Sequence, residues 1–295
     1  MRVSSRRRDQ RRLICGFLVR IIAALLLLRP LPSGAEPVPV FVSILPQKYF
    51  VEQVGTPRVA VTVMVGPGQS PATYEPTPRQ LTALSGAQVY FSIGVAFEDA
   101  WMHRIRAANP KLHIVPTQRG IALLPLRGPD GQPLGWDPHV WTSPPLVKTI
   151  AANIRDALIE ADPAYRANYE ANYQRLESAL DDLDREIQRI LMPAKGKALL
   201  VFHPAWGYFA DTYGLRQIPI EIAGKEPGAK SLARSIELGR REQAKVIFVQ
   251  TQFSRRTAAT VAAAIGARIV AVDPLAGDYP ANLLRTARDV AAALQ

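Results

Sequence analysis

Three groups far apart in the chain have the chemistry of ligands for a divalent transition metal. His203 closes the apolar run ALLVFH (198–203), and Asp273 closes RIVAVD (268–273). His139 sits in GWDPHVWTSP, between Asp-Pro and Trp, just before a helix start. Neutral imidazole nitrogen and carboxylate oxygen suit Zn²⁺. A further polar residue, Gln250, closes KVIFVQ (245–250). In open α/β sheets, ligands bind beyond the carboxyl ends of the strands, so three polar residues at such ends point to one site. Taken singly, each has a plainer account as a cap on a strand or on the following helix. Their wide separation makes spacing alone a weak signal. The other two histidines, His103 on FEDAWMHRIRAAN and His113 in KLHIVPT, lack a companion at ligand spacing and read as structural.

The elements that must position these groups alternate in hydrophobic period. Strands are predicted at 38–44, 59–65, 87–93 and 111–117, then at 198–203, 216–222, 245–250 and 268–273. Helical patterns fall between them, at 46–54, 78–86, 97–109 and 143–160, then at 205–214, 230–243, 254–265 and 280–294. This is the pattern of βα units and mainly parallel sheets. Between the two sets, apolar residues recur at Tyr165, Tyr169, Tyr173, Leu176, Leu180, Leu183, Ile187 and Ile190. That is one helical stripe, and about thirty helical residues would span roughly 45 Å. The acidic run DDLDRE (181–186) reads as its solvated face, with a coiled-coil partner as the sharper alternative. The expected class is therefore α/β: two α/β lobes, 37–160 and 194–295, joined by a long helix over 161–193, with a ligand cleft between the lobes. Residues 118–137 read as a Gly/Pro-rich loop.

The stretch PATYEPTP (71–78) is stiff for a different reason. Three prolines in eight residues fix φ and remove backbone donors, so it is neither helix interior nor central strand. It ends in helix-start chemistry: Thr77 as cap, Pro78 at the first helical position, and Gln80 completing a capping box. Shaped loops of this kind present something to a ligand or partner, yet position 72 carries only a methyl group.

Composition narrows the classes. The chain has 295 residues, 48% hydrophobic and 21% charged, which is ordinary for globular domains. Residues 1–35 differ. A basic segment, MRVSSRRRDQRR, precedes the apolar LICGFLVRIIAALLLL and a small-residue end at Ser-Gly-Ala, the anatomy of a secretory signal peptide cleaved after Ala35. Arg11-Arg12 has a faint twin-arginine character, but an ordinary basic segment is simpler. The apolar run is short and broken by Arg20, which disfavours a retained anchor. The formal charge of +11 owes much to this segment: it holds eight Arg and one Asp, so residues 36–295 carry 28 basic and 24 acidic side chains, a net of +4. That is no basis for nucleic-acid binding. The only cysteine, Cys15, falls inside the segment, so the mature chain has neither disulfide nor thiolate ligand.

Taken together, DPHVWTSP, VFHPAWGYFADTYGL, VIFVQTQFS, AVDPL and PATYEPTP resemble the periplasmic zinc/manganese solute-binding proteins of ABC importers, the TroA-like metal receptors. The resemblance runs in order along 37–295. It implies two α/β lobes on a long rigid helix, with metal between them. It implies ligands at His139, His203 and Asp273. The manganese branch usually has glutamate at the position of His203, so the zinc branch is the closer likeness. Relatives carry a histidine ligand where this chain has Ala72, which leaves Glu75 or water as the fourth donor. Gln250 stands where relatives often have glutamate, and the 118–137 loop lacks a His/Asp-rich run. The implied role is extracytoplasmic capture of zinc, with Mn²⁺, Fe²⁺ or Cu as other candidates, by a periplasmic monomer. Its implied partner is an ABC importer permease in the inner membrane. The resemblance implies a receptor, not an enzyme, whose long helix restricts lobe closure. Two other classes remain beside it. One is a receptor fold that has lost metal and holds another small ligand or a protein. The other is a zinc hydrolase with Glu75 as base, disfavoured because no HExxH-type helix exists.

Overall fold

The computed structural model describes residues 36–128, 131–221, 228–253 and 255–294. The expected signal segment 1–35, with its cleavage point and Cys15, lies outside the described residues. The first half runs β1 (Val38–Val42), α1 (Leu45–Gly55), β2 (Val59–Val63), α2 (Pro78–Leu84), β3 (Val89–Ser92), α3 (Ala96–Ala108) and β4 (His113–Pro116). A hairpin follows, β5 (Pro125–Arg127) and β6 (Pro133–Trp136), then α4 (Pro144–Ala161) and the long α5 (Arg166–Leu191). The second half runs β7 (Ala198–Val201), α6 (Gly207–Thr212), β8 (Arg216–Pro219), α7 (Ala229–Arg241), β9 (Val246–Gln250), α8 (Arg255–Ile265), β10 (Arg268–Val272) and α9 (Tyr279–Leu294).

Two four-stranded sheets result, ordered β2-β1-β3-β4 and β10-β9-β7-β8, with every neighbouring pair parallel. Burial follows sheet position. The inner strands β3 and β9 are buried at every residue, whereas the edge strand β2 alternates between half-buried and exposed. Parallel strands covered on both faces need this continuous apolar character. The expected α/β class with two lobes and a long helix is therefore what is observed.

The long helix is held on several sides. It packs against α1, α4 and α9. Tyr169, Leu176, Leu180, Leu183 and Ile187 of the expected stripe are buried, joined by Asn172 and Leu191. Five buried aliphatic side chains contribute on the order of 10 kcal/mol before the entropy of ordering is set against it. Polar contacts fix its start. Asp162 Oδ2 accepts from Arg58 Nε and from the Tyr169 hydroxyl, both at 3.0 Å, and Asn172 Nδ2 donates to the carbonyls of Val54 and Thr56. The acidic run is more than a solvated face. Asp181 pairs with Lys148 at 2.7 Å, and Asp184 accepts from the Tyr213 hydroxyl at 2.9 Å.

Residues 118–137 are not all loop. Pro125–Arg127 and Pro133–Trp136 pair as an antiparallel hairpin. Short strands among Pro and Gly carry little periodicity, so the sequence pattern hides them.

Candidate metal centre

A cavity of about 360 Å³ opens between the two halves. Its walls include Ser70–Ala72 and Gly94–Ala96 from the first half, the hairpin residues Leu126, Leu134 and Trp136, and His139, His203, Gln250, Gln252 and Leu275.

His139 stands at the end of the loop leading into a one-turn helix, Val140–Thr142. Asp137 Oδ1 accepts from its backbone N–H at 2.9 Å and meets its Nδ1 at 2.7 Å. A buried carboxylate against Nδ1 places the ring proton there and leaves Nε2 with its lone pair. The close approach of Asp137 to α6 depends on Gly207: a Cβ there would lie 2.4 Å from Asp137 Oδ2.

His203 follows β7, and its Nδ1 meets Glu221 Oε2 at 2.6 Å. The same arrangement thus occurs twice. Burial lowers the His203 pKa from its ordinary value, against the opposing effect of Glu221, and so favours the neutral, ligating form. The two imidazole rings lie 5.3 Å apart at 78°, and His203 also stacks on Phe253 at 4.8 Å. Gln250 fixes the His203 backbone from both sides, accepting from its N–H at 3.1 Å and donating to its carbonyl at 2.7 Å.

Asp273 follows β10. Its Oδ1 accepts from Gln252 Nε2 at 2.8 Å and from the Leu275 N–H at 2.9 Å. Its neighbours Pro274 and Leu275 line the cavity, and Trp141 Nε1 donates to the Pro274 carbonyl at 2.7 Å. That bond ties the His139 segment to the Asp273 loop. The structure thus brings His139 and His203 together and holds Asp273 at the margin. Among the described residues, no three His, Cys, Asp or Glu side chains are already gathered for a metal ion.

The PATYEPTP frame is as expected. Gln80 N–H donates to Thr77 Oγ1, and Thr77 N–H donates to Gln80 Oε1, closing the capping box. The Tyr74 hydroxyl donates to Gln80 Oε1 at 2.7 Å, and Tyr74 packs edge-on to Phe97 at 5.1 Å. This fastened loop brings exposed Ala72 to the cavity wall. Glu75 is exposed and outside that lining. His103 and His113 are both exposed and lie away from the cavity.

Three carboxylates were not singled out from the sequence. Glu221 lies just past β8, as His203 and Asp273 lie just past their strands and Gln250 ends its own, so the same strand-end signal would have found it. Asp137 lies two residues before His139. The third, Glu98, is buried and accepts from the N–H groups of Ile93 and Gly94 and from Ser43 Oγ. Burial pushes its pKa up to about 7.

The chain is similar to known proteins along most of its length. The family described as zinc-uptake complex component A, periplasmic, matches residues 40–294. The crystal structure of ZnuA superposes with a TM-score of 0.82 at 40% identity, covering 88% of this chain and 100% of that one. The high-affinity zinc uptake system protein ZnuA of Bacillus subtilis (strain 168) is 28% identical over 260 residues, 83% of this chain and 81% of its own length. The manganese-binding lipoprotein MntA of Halalkalibacterium halodurans is 28% identical over 215 residues, 72% of this chain and 70% of its own.

Proposed function

Because the chain belongs to the periplasmic zinc-uptake component A family, we propose that it captures a divalent transition metal, zinc first, and delivers it to an ABC importer permease in the inner membrane. The observation that carries this reading is the paired imidazoles. Each is held at Nδ1 by a buried carboxylate, and neither Nε2 has a hydrogen bond among the described residues. Fixing the tautomer and orientation from outside the coordination sphere is how metal-binding histidines are prepared.

Asp273 is the third ligand in this reading. Its Oδ1 is engaged, while Oδ2 has no hydrogen bond among the described residues. A modest approach of the lobes, taken as 37–160 and 194–295, brings Oδ2 to the metal. The long helix, packed on several sides, keeps that movement small. Ala72 stands where the relatives' histidine would reach in. Water fills that fourth position better than Glu75, given where Glu75 lies. The protein works as a monomer, exported by its N-terminal segment, and Mn²⁺ is the nearest competitor to zinc.

A calorimetric zinc titration of the full mature chain tests the reading. One equivalent should bind, with zinc preferred over manganese. The ungathered state of the candidate ligands favours one rival, a receptor fold that no longer holds metal. Protein purified from the periplasm without chelators would then contain no zinc and would not be stabilised by it on heating.

A further inference from the structure

The cavity is built on a larger scale than a bare cation needs. A hydrated ion occupies a few waters' worth of space at about 30 Å³ each, whereas this cavity measures about 360 Å³. That volume lies in the range of small-molecule sites. Among the described residues, Asp99 is the only Asp, Glu, Lys or Arg in its lining. The rest of the wall is largely apolar: Leu126, Leu134, Trp136, Trp141, Phe253 and Leu275.

Trp136 is the telling residue. Among the described residues the exposed large hydrophobic side chains are Trp136, at 68%, and Met192. Trp136 ends β6 at the cavity edge, where the hairpin also contributes Leu126 and Leu134. An indole left in water beside an apolar wall is surface waiting for a flat ligand. Ala72 removes a donor from the opposite wall and makes room there.

We propose that this site takes its metal as a chelate: a divalent ion already carrying one small bidentate chelator with an apolar or aromatic body. Three coordination positions go to the Nε2 atoms of His139 and His203 and to Asp273 Oδ2. The chelator's two donors complete a five-coordinate zinc, one of them in the position that Ala72 leaves open. Waters held by the incoming complex are released, and no bond within the chelator is made or broken. The chelator's body lies against Trp136, Leu126 and Leu134. This inference rests on the metal-receptor reading above and specifies what the metal arrives with.

The test uses the metal-free mature chain with three titrants: zinc alone, 1,10-phenanthroline alone, and the preformed 1:1 zinc–phenanthroline complex. Calorimetry gives the affinities, and native mass spectrometry reads the composition. The expected result is a 1:1:1 protein–zinc–phenanthroline complex, bound at least tenfold more tightly than zinc alone. Trp136→Ala should bring that ratio towards one, and Ala72→His should reverse it by refilling the open position. If zinc alone binds and phenanthroline merely strips it away with no ternary species, the chelate proposal fails and the metal-receptor reading survives. If neither titrant containing zinc binds, both fail.

Discussion

The two walls of the cavity are built to different standards. On the second-half wall the candidate ligands are held from behind. Gln250 brackets the His203 backbone, Glu221 fixes its ring, and Gln252 and the Leu275 amide hold Asp273. On the first-half wall, which also carries His139, the loop at 71–78 is framed just as firmly, by Tyr74, Gln80 and the Thr77 cap, yet its tip presents a methyl group. Frame and donor are therefore separable. Proline and capping chemistry shape a loop whether or not its tip carries a ligand, because they act on backbone torsions and local hydrogen bonds. Donor identity is one side chain, free to change without loss of fold.

Breaking the well-furnished wall should cost most. His203→Ala removes a proposed ligand and leaves the Glu221 carboxylate buried without its partner, so zinc affinity should fall beyond about 1000-fold, an effect above roughly 4 kcal/mol. Calorimetry reads it directly, and an unchanged affinity would remove His203 from the site. Refilling the bare wall should have the next largest effect. Ala72→His should tighten zinc by about 30- to 1000-fold, roughly 2–4 kcal/mol by proportion to four-ligand sites. No gain would mean that the loop tip does not face the metal position.

The smallest effect on the metal, and a separate one on stability, is expected beneath the first-half wall. Glu98 holds the Ile93 and Gly94 amides, and its pKa is raised from 4.5 to about 7 by burial. A carboxyl whose folded pKa is raised contributes stability that is full below pH 4.5 and is lost as pH climbs through about 7. The wild type should therefore lose up to about 3 kcal/mol relative to Glu98→Gln between pH 4.5 and 8. Urea unfolding of both proteins at the two pH values checks this, and parallel profiles would refute it.

Much of the fold was legible because it rests on repeated local patterns. The eight strands of the two sheets fall on apolar runs bounded by turns, and Thr77, Pro78 and Gln80 form the helix start that their spacing implies. The hairpin β5–β6 escaped, since three- and four-residue strands among Pro and Gly leave no periodic trace. At the site, His139, His203 and Asp273 stood out by residue type at strand ends and in the DPH loop. Glu221 obeys the same strand-end rule but reads as the polar member of RQIPIEI until its 2.6 Å contact with His203 is seen.

By itself the sequence determined the elements, their order, the stiff loop and the absence of a side-chain donor at position 72, because torsional preference and hydrophobic period are properties of short segments. Only the tertiary structure decided which groups meet. It set His139 and His203 5.3 Å apart across 64 residues of chain, gave each imidazole its own carboxylate, left Asp273 at the margin, and put Trp136 at the mouth of an apolar cavity. Those pairings arise from how two sheets and a long helix pack, and packing is a relation between distant segments that no local pattern encodes.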